Sequence, residues 1–151
     1  MGKHYSLCLL FNKDMSKMLL IQKAQGKLFA GMFNGLGGKL EEGETAKESV
    51  IREVFEESQG LIRLSNPVHL SSQFFPMGEN APMNKDNKLD VFYDVIDEIQ
   101  IPEDREGKID WYDIGFALDL NNDLLVGFGN IQYYTKLSLV NETVLRQTGK
   151  R

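Results

Sequence analysis

An α/β fold is expected from three observations on this 151-residue chain. Short apolar or alternating runs separated by turn residues read as strands. Two longer segments carry helical periodicity, one of them glycine-flanked with a capping pattern. A hydrophobic content of 42% is enough for one buried core, so one domain spanning residues 1–151 is expected.

The elements follow in order. Residues 5–12 and 18–24 are apolar strand runs, and the polar stretch 13–17 between them reads as a hairpin turn. The segment 26–38 holds five glycines and reads as loop, with a brief extended piece at 29–33. A helix then begins at Thr45, three residues before Glu48, a capping-box spacing; Ala46, Val50, Ile51, Val54 and Phe55 supply its apolar side. Residues 68–75 and 89–96 read as two long strands, the second alternating Val91, Tyr93 and Val95 against Phe92 and Asp94. The polar stretch 76–88 between them has the length of a specificity loop. Residues 111–114 form a short strand or turn, and 130–145 a C-terminal helix.

Composition narrows the function classes. No stretch approaches the roughly 18–20 uninterrupted apolar residues of a membrane span, and the apolar run at 7–11 reads as a strand rather than a targeting segment. Together these make the cytoplasm the expected location and a membrane partner unexpected. The net charge of −5, with no basic cluster interleaved with aromatics, argues against a nucleic-acid polymer as partner. Cys8, the single cysteine, lies inside an apolar strand and reads as a buried structural thiol. His4 and His69 are far apart, without metal-ligand spacing, and are assigned no role.

Chemistry concentrates between Gly38 and Gly60. Glu53, Glu56 and Glu57 are related by i,i+3 and i,i+4 spacing, so a helix projects them from one side within a turn. Like charges so placed destabilise a helix by roughly 0.2–0.5 kcal/mol per pair, and only Arg52 is positioned to offset them. A divalent cation reverses that sign: Mg2+ takes carboxylate and carbonyl oxygens and binds through one or two carboxylates plus substrate phosphates. A solvated acidic helix is the bland alternative.

The order of residues decides between them. From Gly38 the chain reads five residues, Glu44, seven residues, Arg52-Glu53-Val54, one residue, then Glu56-Glu57. This resembles the Nudix box of the MutT-type hydrolases, a loop-helix-loop signature ending Arg-Glu-hydrophobic-x-Glu-Glu-x-Gly-hydrophobic. One departure is visible: Gln59 occupies the place of the closing glycine, and Gly60 follows it. The departure is read as a helix one residue longer, ending on a glycine cap, with Leu61 opening the next strand.

The resemblance implies an α/β/α sandwich around a central mixed sheet. It implies a Mg2+-dependent hydrolase, with Mn2+ as the alternative ion, in which an activated water attacks a diphosphate linkage. Glu56 and Glu57 are the expected metal ligands, Glu53 is a ligand or the general base, and the Gly37 carbonyl is a further ligand. Arg52 is expected to orient Glu53 through a salt bridge; Glu44 is equally explained by the helix dipole. Glu106, five residues before Trp111, resembles an additional acidic residue of MutT-type sequences, with Glu98, Glu103 and Asp104 as competitors.

The substrate is a small-molecule nucleotide on this reading. Gly35-Leu36-Gly37-Gly38-Lys39 lacks the upstream glycine and the Ser/Thr of a phosphate-binding P-loop. The stretch Phe33-Asn34-Gly35-Leu36-Gly37-Gly38-Lys39 instead resembles the Trp-Asn-Gly-x-Gly-Gly-Lys of oxidised purine nucleoside triphosphatases, with Phe33 replacing the tryptophan. That marks Asn34 for a purine edge, places Phe33 and Lys39 beside the substrate, and makes Phe29 a stacking candidate, with Phe74 as another. A plain Asn-Gly turn is the competing reading of Asn34. The favoured substrate is a purine (d)NTP such as 8-oxo-dGTP. ADP-ribose, dinucleoside polyphosphates and NADH-type dinucleotides stay open, as do a non-catalytic nucleotide sensor and an RNA-end hydrolase of the same fold. Monomer and homodimer are both compatible.

Overall fold

The computed structural model describes residues 2–26, 29–75, 87–102, 108–127 and 129–151. Strand β1 (His4–Phe11) is an unbroken apolar run over residues 7–11, where both of its faces are covered. It pairs in parallel with β6 (Asn87–Val95), setting Leu7 opposite Val91 and Leu9 opposite Tyr93. Its other edge is shared by two antiparallel partners, β2 (Lys17–Gln22) and β4 (Leu36–Lys39). β5 (Val68–Phe75) adds to β6, and β7 (Lys108–Asp113) to the far edge of β2, completing a seven-stranded mixed sheet.

Alternation along the strands sorts the core into two layers. Leu7, Leu9 and Phe11 join Met18, Leu20, Phe33, Val91 and Tyr93 beneath α2 (Ile114–Leu118) and α3 (Asn130–Gln147), meeting Ala117, Ile131 and Tyr134. Cys8 and Leu10 join Leu19, Leu36, Phe92 and Ile109 beneath α1 (Ala46–Glu57), meeting Val50 and Val54. This is the α/β/α sandwich with a mixed sheet. Cys8 is fully buried, and burial pushes its thiol up. Among the described residues no helix is long and apolar enough to cross a membrane.

The local geometry that matters for the site is a wedge. β1 and β2 pair only at Leu10–Leu19 and Phe11–Met18. Beyond that point β3 (Phe33–Asn34) stays with β2 while β4 joins β1. Gly35 is the crossing point, and only a glycine passes there: an added Cβ would lie 2.7 Å from the Cys8 carbonyl oxygen and 2.8 Å from Leu9 Cδ2. Residues 37 and 38, expected as loop, are therefore strand, and the extended piece falls at 33–39 instead of 29–33. Phe29 and Gly31 turn instead, with φ of 60° and 79°.

α1 starts where expected. Thr45 Oγ1 accepts from Glu48 N at 3.1 Å and Glu48 Oε1 from Thr45 N at 3.1 Å, a complete capping box. Its end differs from expectation. The helix stops at Glu57, Gln59 N–H donates to the Glu56 carbonyl, and Gly60 N–H to the Phe55 carbonyl, with Gln59 itself at φ 52°. Gln59 thus occupies the left-handed position that a glycine would fill, and no strand starts at Leu61. A left-handed non-glycine costs about 1–2 kcal/mol, so Gln59→Gly is expected to raise stability by about 1 kcal/mol, read as a higher denaturation midpoint at unchanged m-value.

Three further differences are local. β7 begins at Lys108, three residues before the expected strand, because all six of its residues pair with β2. Ile114, expected to close that strand, opens the short helix α2. His4 and His69, far apart in sequence, converge on one carboxylate: His4 Nε2 lies 2.5 Å from Asp90 Oδ2 and His69 Nε2 2.8 Å from Asp90 Oδ1, while Ser72 Oγ also donates to Oδ1. Burial pushes Asp90 up, but these bonds outweigh it and hold the carboxyl at about 2. The loop residues 76–86 fall outside the described residues.

Candidate metal and nucleotide site

Helix α1 lays its acidic side over the two glycines of β4. Gly37 N–H donates to Glu57 Oε1 at 2.7 Å. A Cβ at Gly38 would lie 2.6 Å from Glu53 Cδ, so the missing side chain is what lets the Glu53 carboxylate lie against the strand. A Cβ at Gly37 would collide with the Ser6 carbonyl oxygen and come within 2.9 Å of Leu7 Cα.

Arg52 ties the remaining carboxylates together. Its Nε donates to Glu44 Oε1 at 2.5 Å and its Nη2 to Glu44 Oε2 at 3.1 Å, a bidentate pair. Nη1 reaches Glu53 Oε1 at 3.0 Å and Glu56 Oε2 at 3.2 Å, and Nη2 reaches the Lys39 carbonyl at 3.3 Å. One guanidinium therefore anchors the helix to the loop before it and aims Glu53. The bond to Arg52 holds the Glu44 carboxyl below its ordinary range. Glu44 is a structural partner of Arg52 beyond any dipole effect.

Glu57 carries the electrostatic signature of the site. Burial pushes its carboxyl up to about 7; the Gly37 N–H and the Lys23 ammonium work against that shift, while Glu53 and Glu56 add to it. Lys23, just beyond β2, acts on Glu57 through its charge alone, an effect the linear sequence does not reveal because only the fold brings the two near.

The donor set fits a hard cation: three carboxylates and a carbonyl, with one of the acids, Glu57, pushed up chiefly by burial. Among the described residues no three acidic, imidazole or thiol side chains already converge as a cation cage. The hydrogen bonds explain this. Glu53 and Glu56 lean on Arg52 and Glu57 on the Gly37 N–H, so an ion would draw the carboxylates off these partners.

The other expected residues are placed as follows. Asn34 lies on β3 with its Oδ1 accepting from Gly35 N at 2.9 Å, the local turn contact. Lys39 ends β4 with an exposed side chain. Phe33 departs from the expectation of a substrate contact: its ring is 8% exposed and packs edge-on against Tyr112 and Phe116 at 5.1 and 5.3 Å. The physical reason is strand alternation, which turns residue 33 into the α3-side core and residue 34 the other way. Phe29 lines a cavity with Met32, Asn122, Asp123, Leu125 and Gln132. Glu106, Glu103 and Asp104 lie outside the described residues, and Glu98 is engaged with Asn12 and Lys17 at 2.9 and 3.1 Å.

Comparison with known proteins bears on this geometry. The family model described as NUDIX domain matches residues 4–124, from β1 through the segment after α2. The chain belongs to the NUDIX domain family. Solved Nudix structures share the fold. The mutator MutT protein of Bacillus halodurans superposes with a TM-score of 0.66 at 24% identity, covering 89% of this chain and 80% of that one. The E. coli dihydroneopterin triphosphate pyrophosphohydrolase gives 0.68 at 21%, covering 93% and 99%. The NUDIX domain of Shewanella oneidensis NrtR, solved with ADP ribose, gives 0.69 at 16%, covering 93% and 88%. A search of the curated proteins finds no match.

Proposed function

We propose that this Nudix hydrolase is Mg2+-dependent, with Mn2+ as the alternative ion, and cleaves a diphosphate linkage in a small nucleotide, by preference a purine (d)NTP such as 8-oxo-dGTP. The observation that carries the reading is the placement of Glu53 and Glu57 on the side-chain-free backbone of Gly37 and Gly38, with Arg52 aiming Glu53. Glu56, Glu57 and the Gly37 carbonyl are the groups that would hold the ion, with Glu53 beside them as the base. When bound, a divalent ion supplies positive charge against the diphosphate oxygens and acidifies the attacking water.

The chain's own groups do the rest. Arg52 occupies Glu53 Oε1, which leaves Oε2 to take the proton from water as the new P–O bond forms and the anhydride P–O bond breaks. Lys23, whose charge reaches Glu57, would meet a phosphate oxygen on the same side. Products are a nucleoside monophosphate and pyrophosphate when the substrate is a triphosphate. Catalysis then comes from positioning and charge, with no covalent intermediate.

The test is product release with Mg2+ across 8-oxo-dGTP, dGTP, ADP-ribose, diadenosine polyphosphates and NADH, products separated chromatographically. A kcat/KM preference of about tenfold for the triphosphates, about 1.4 kcal/mol of transition-state binding, is expected. Preference for ADP-ribose, the ligand in the NrtR structure, or for another two-ended substrate would overturn the triphosphate reading. No turnover of any of them would return the sensor reading.

A further inference from the structure

Two hydrogen bonds between α1 and the sheet bracket Glu53, one helical turn to either side. At residue 57 the carboxylate accepts from Gly37 N–H at 2.7 Å. At residue 49 the hydroxyl shares a hydrogen bond with that of Ser6 on β1, Oγ to Oγ 3.0 Å. Residues 49, 53 and 57 are spaced by four, so they follow one another along one side of the helix. The sheet matches them: Gly37 lies opposite Leu7, and Gly38 opposite Ser6. Ser49 therefore meets the residue directly across from the glycine against which the Glu53 carboxylate rests.

Both hydroxyls are buried in an otherwise apolar layer. Ser6 is 3% exposed and Ser49 0%, on the side of the sheet where Cys8, Leu10, Leu36, Val50 and Val54 form the core. Apolar contact holds a helix against a sheet but has no direction, so Val50 and Val54 leave α1 free to settle along the strands. A bond between two buried hydroxyls does fix that position, because sliding would leave both groups unpaired out of reach of water. Arg52 Nη1, at 3.0 Å from Glu53 Oε1, sets which way the carboxylate points but not where the helix backbone beneath it stands over β4.

We propose that Ser6 and Ser49 are positioning residues for the hydrolysis: their shared bond holds α1 at the height at which Glu53 lies over Gly38. Glu57 on Gly37 performs the same service one turn later, so the base is held from both sides. The inference rests on the reading of Glu53 as the base.

Ser6→Ala, Ser49→Ala and the double variant test this against Ser138→Ala, which removes another fully buried hydroxyl, bonded to the Tyr134 carbonyl at 2.7 Å in the opposite layer. With Mg2+ and whichever nucleotide the wild type turns over fastest, each single variant should lose about tenfold in kcat at unchanged KM, since a displaced base slows the reacting step without touching substrate binding. The double variant should lose the same tenfold rather than a hundredfold, because all three remove one and the same bond. Melting temperatures should follow a different order: the single variants, each with one hydroxyl left unpaired, melt below the double variant. A second readout needs no turnover. The nuclear Overhauser contact between the Glu53 Hγ and Gly38 Hα protons should weaken in Ser49→Ala and in the double variant and persist in Ser138→Ala. Lower melting temperatures with wild-type kcat, kcat losses that multiply in the double variant, or an unchanged Glu53 to Gly38 contact would each overturn the proposal. If the wild type turned over no nucleotide, the hydrolase reading would fall, and the Glu53 to Gly38 contact would decide alone whether the serine pair sets the place of Glu53. Should a single variant fail to fold, the double variant, which leaves no hydroxyl unpaired, carries both readouts.

Discussion

Glu57→Gln is expected to lower kcat by at least about 10³-fold, roughly 4 kcal/mol of transition-state stabilisation, while leaving the fold in place. The amide oxygen can still accept from Gly37 N–H, so the local geometry survives, but the charge offered to the ion is gone. The same variant separates function from stability. A carboxyl whose folded pKa is raised from 4.5 to about 7 holds its proton more tightly in the native state, so its contribution to stability is present below 4.5 and is lost as pH rises through 7. Above pH 7, without metal, Glu57→Gln should therefore melt at a higher temperature than the wild type, and below pH 4.5 the two should converge. Mg2+ should raise the melting temperature of the wild type more at pH 8 than at pH 6, because proton and cation compete for one carboxylate. Thermal scans at several pH values with and without Mg2+ check both signs. A variant that keeps wild-type turnover would show that the metal site is elsewhere.

Gly37→Ala should be the most damaging small substitution in the chain. The new methyl would run into the backbone of β1 at Ser6 and Leu7, and backbone cannot rotate aside as a side chain can. To make room, β4 must leave the register that sets Gly37 opposite Leu7 and Gly38 opposite Ser6, carrying the Gly37 N–H away from Glu57. We expect a loss of about 3 kcal/mol or more, seen as a melting temperature lower by about 6–12 °C, together with loss of activity. Gly43→Ala is the control: its φ of 83° is also left-handed, but nothing lies within 4 Å of the added methyl. It should cost only about 1–2 kcal/mol of local strain. If both variants melted alike, close packing of β4 on β1 would not be the reason for the glycine.

Much of the site was legible before any coordinates because it is built from one continuous segment. A capping box, a helical repeat of carboxylates and an arginine beside them are local patterns, and α1 begins at the expected residue and carries them on one side. The short strand at 33–34 and the glycine strand at 36–39 were not legible, since a run of glycines carries no periodicity and becomes a strand only because β1 and β2 diverge and leave a place for it. Gln59 misled for the opposite reason. A helix end wants a glycine, and Gly60 is left-handed at φ 83°, yet the bonds from Gln59 N–H to the Glu56 carbonyl and from Gly60 N–H to the Phe55 carbonyl put Gln59 in the left-handed region ahead of it.

Pairs distant in the chain divide in the same way. His4 and His69 looked idle because nothing local connects them, and they meet only because β6 runs between β1 and β5 and presents Asp90 to both. Lys23 and Gln132 were silent for the same reason.

By itself the sequence determined the fold class, the family resemblance and the identity of the carboxylates, since strand alternation, helix capping and a fixed spacing of glutamates act over a few residues and are written in their order. Only the tertiary structure decided that the Glu57 carboxyl is the one pushed up, that Phe33 is core, and that Gln132 carries an open acceptor among the described residues, because burial, the summed field of neighbouring charges and the satisfaction of a hydrogen bond depend on what distant segments bring alongside.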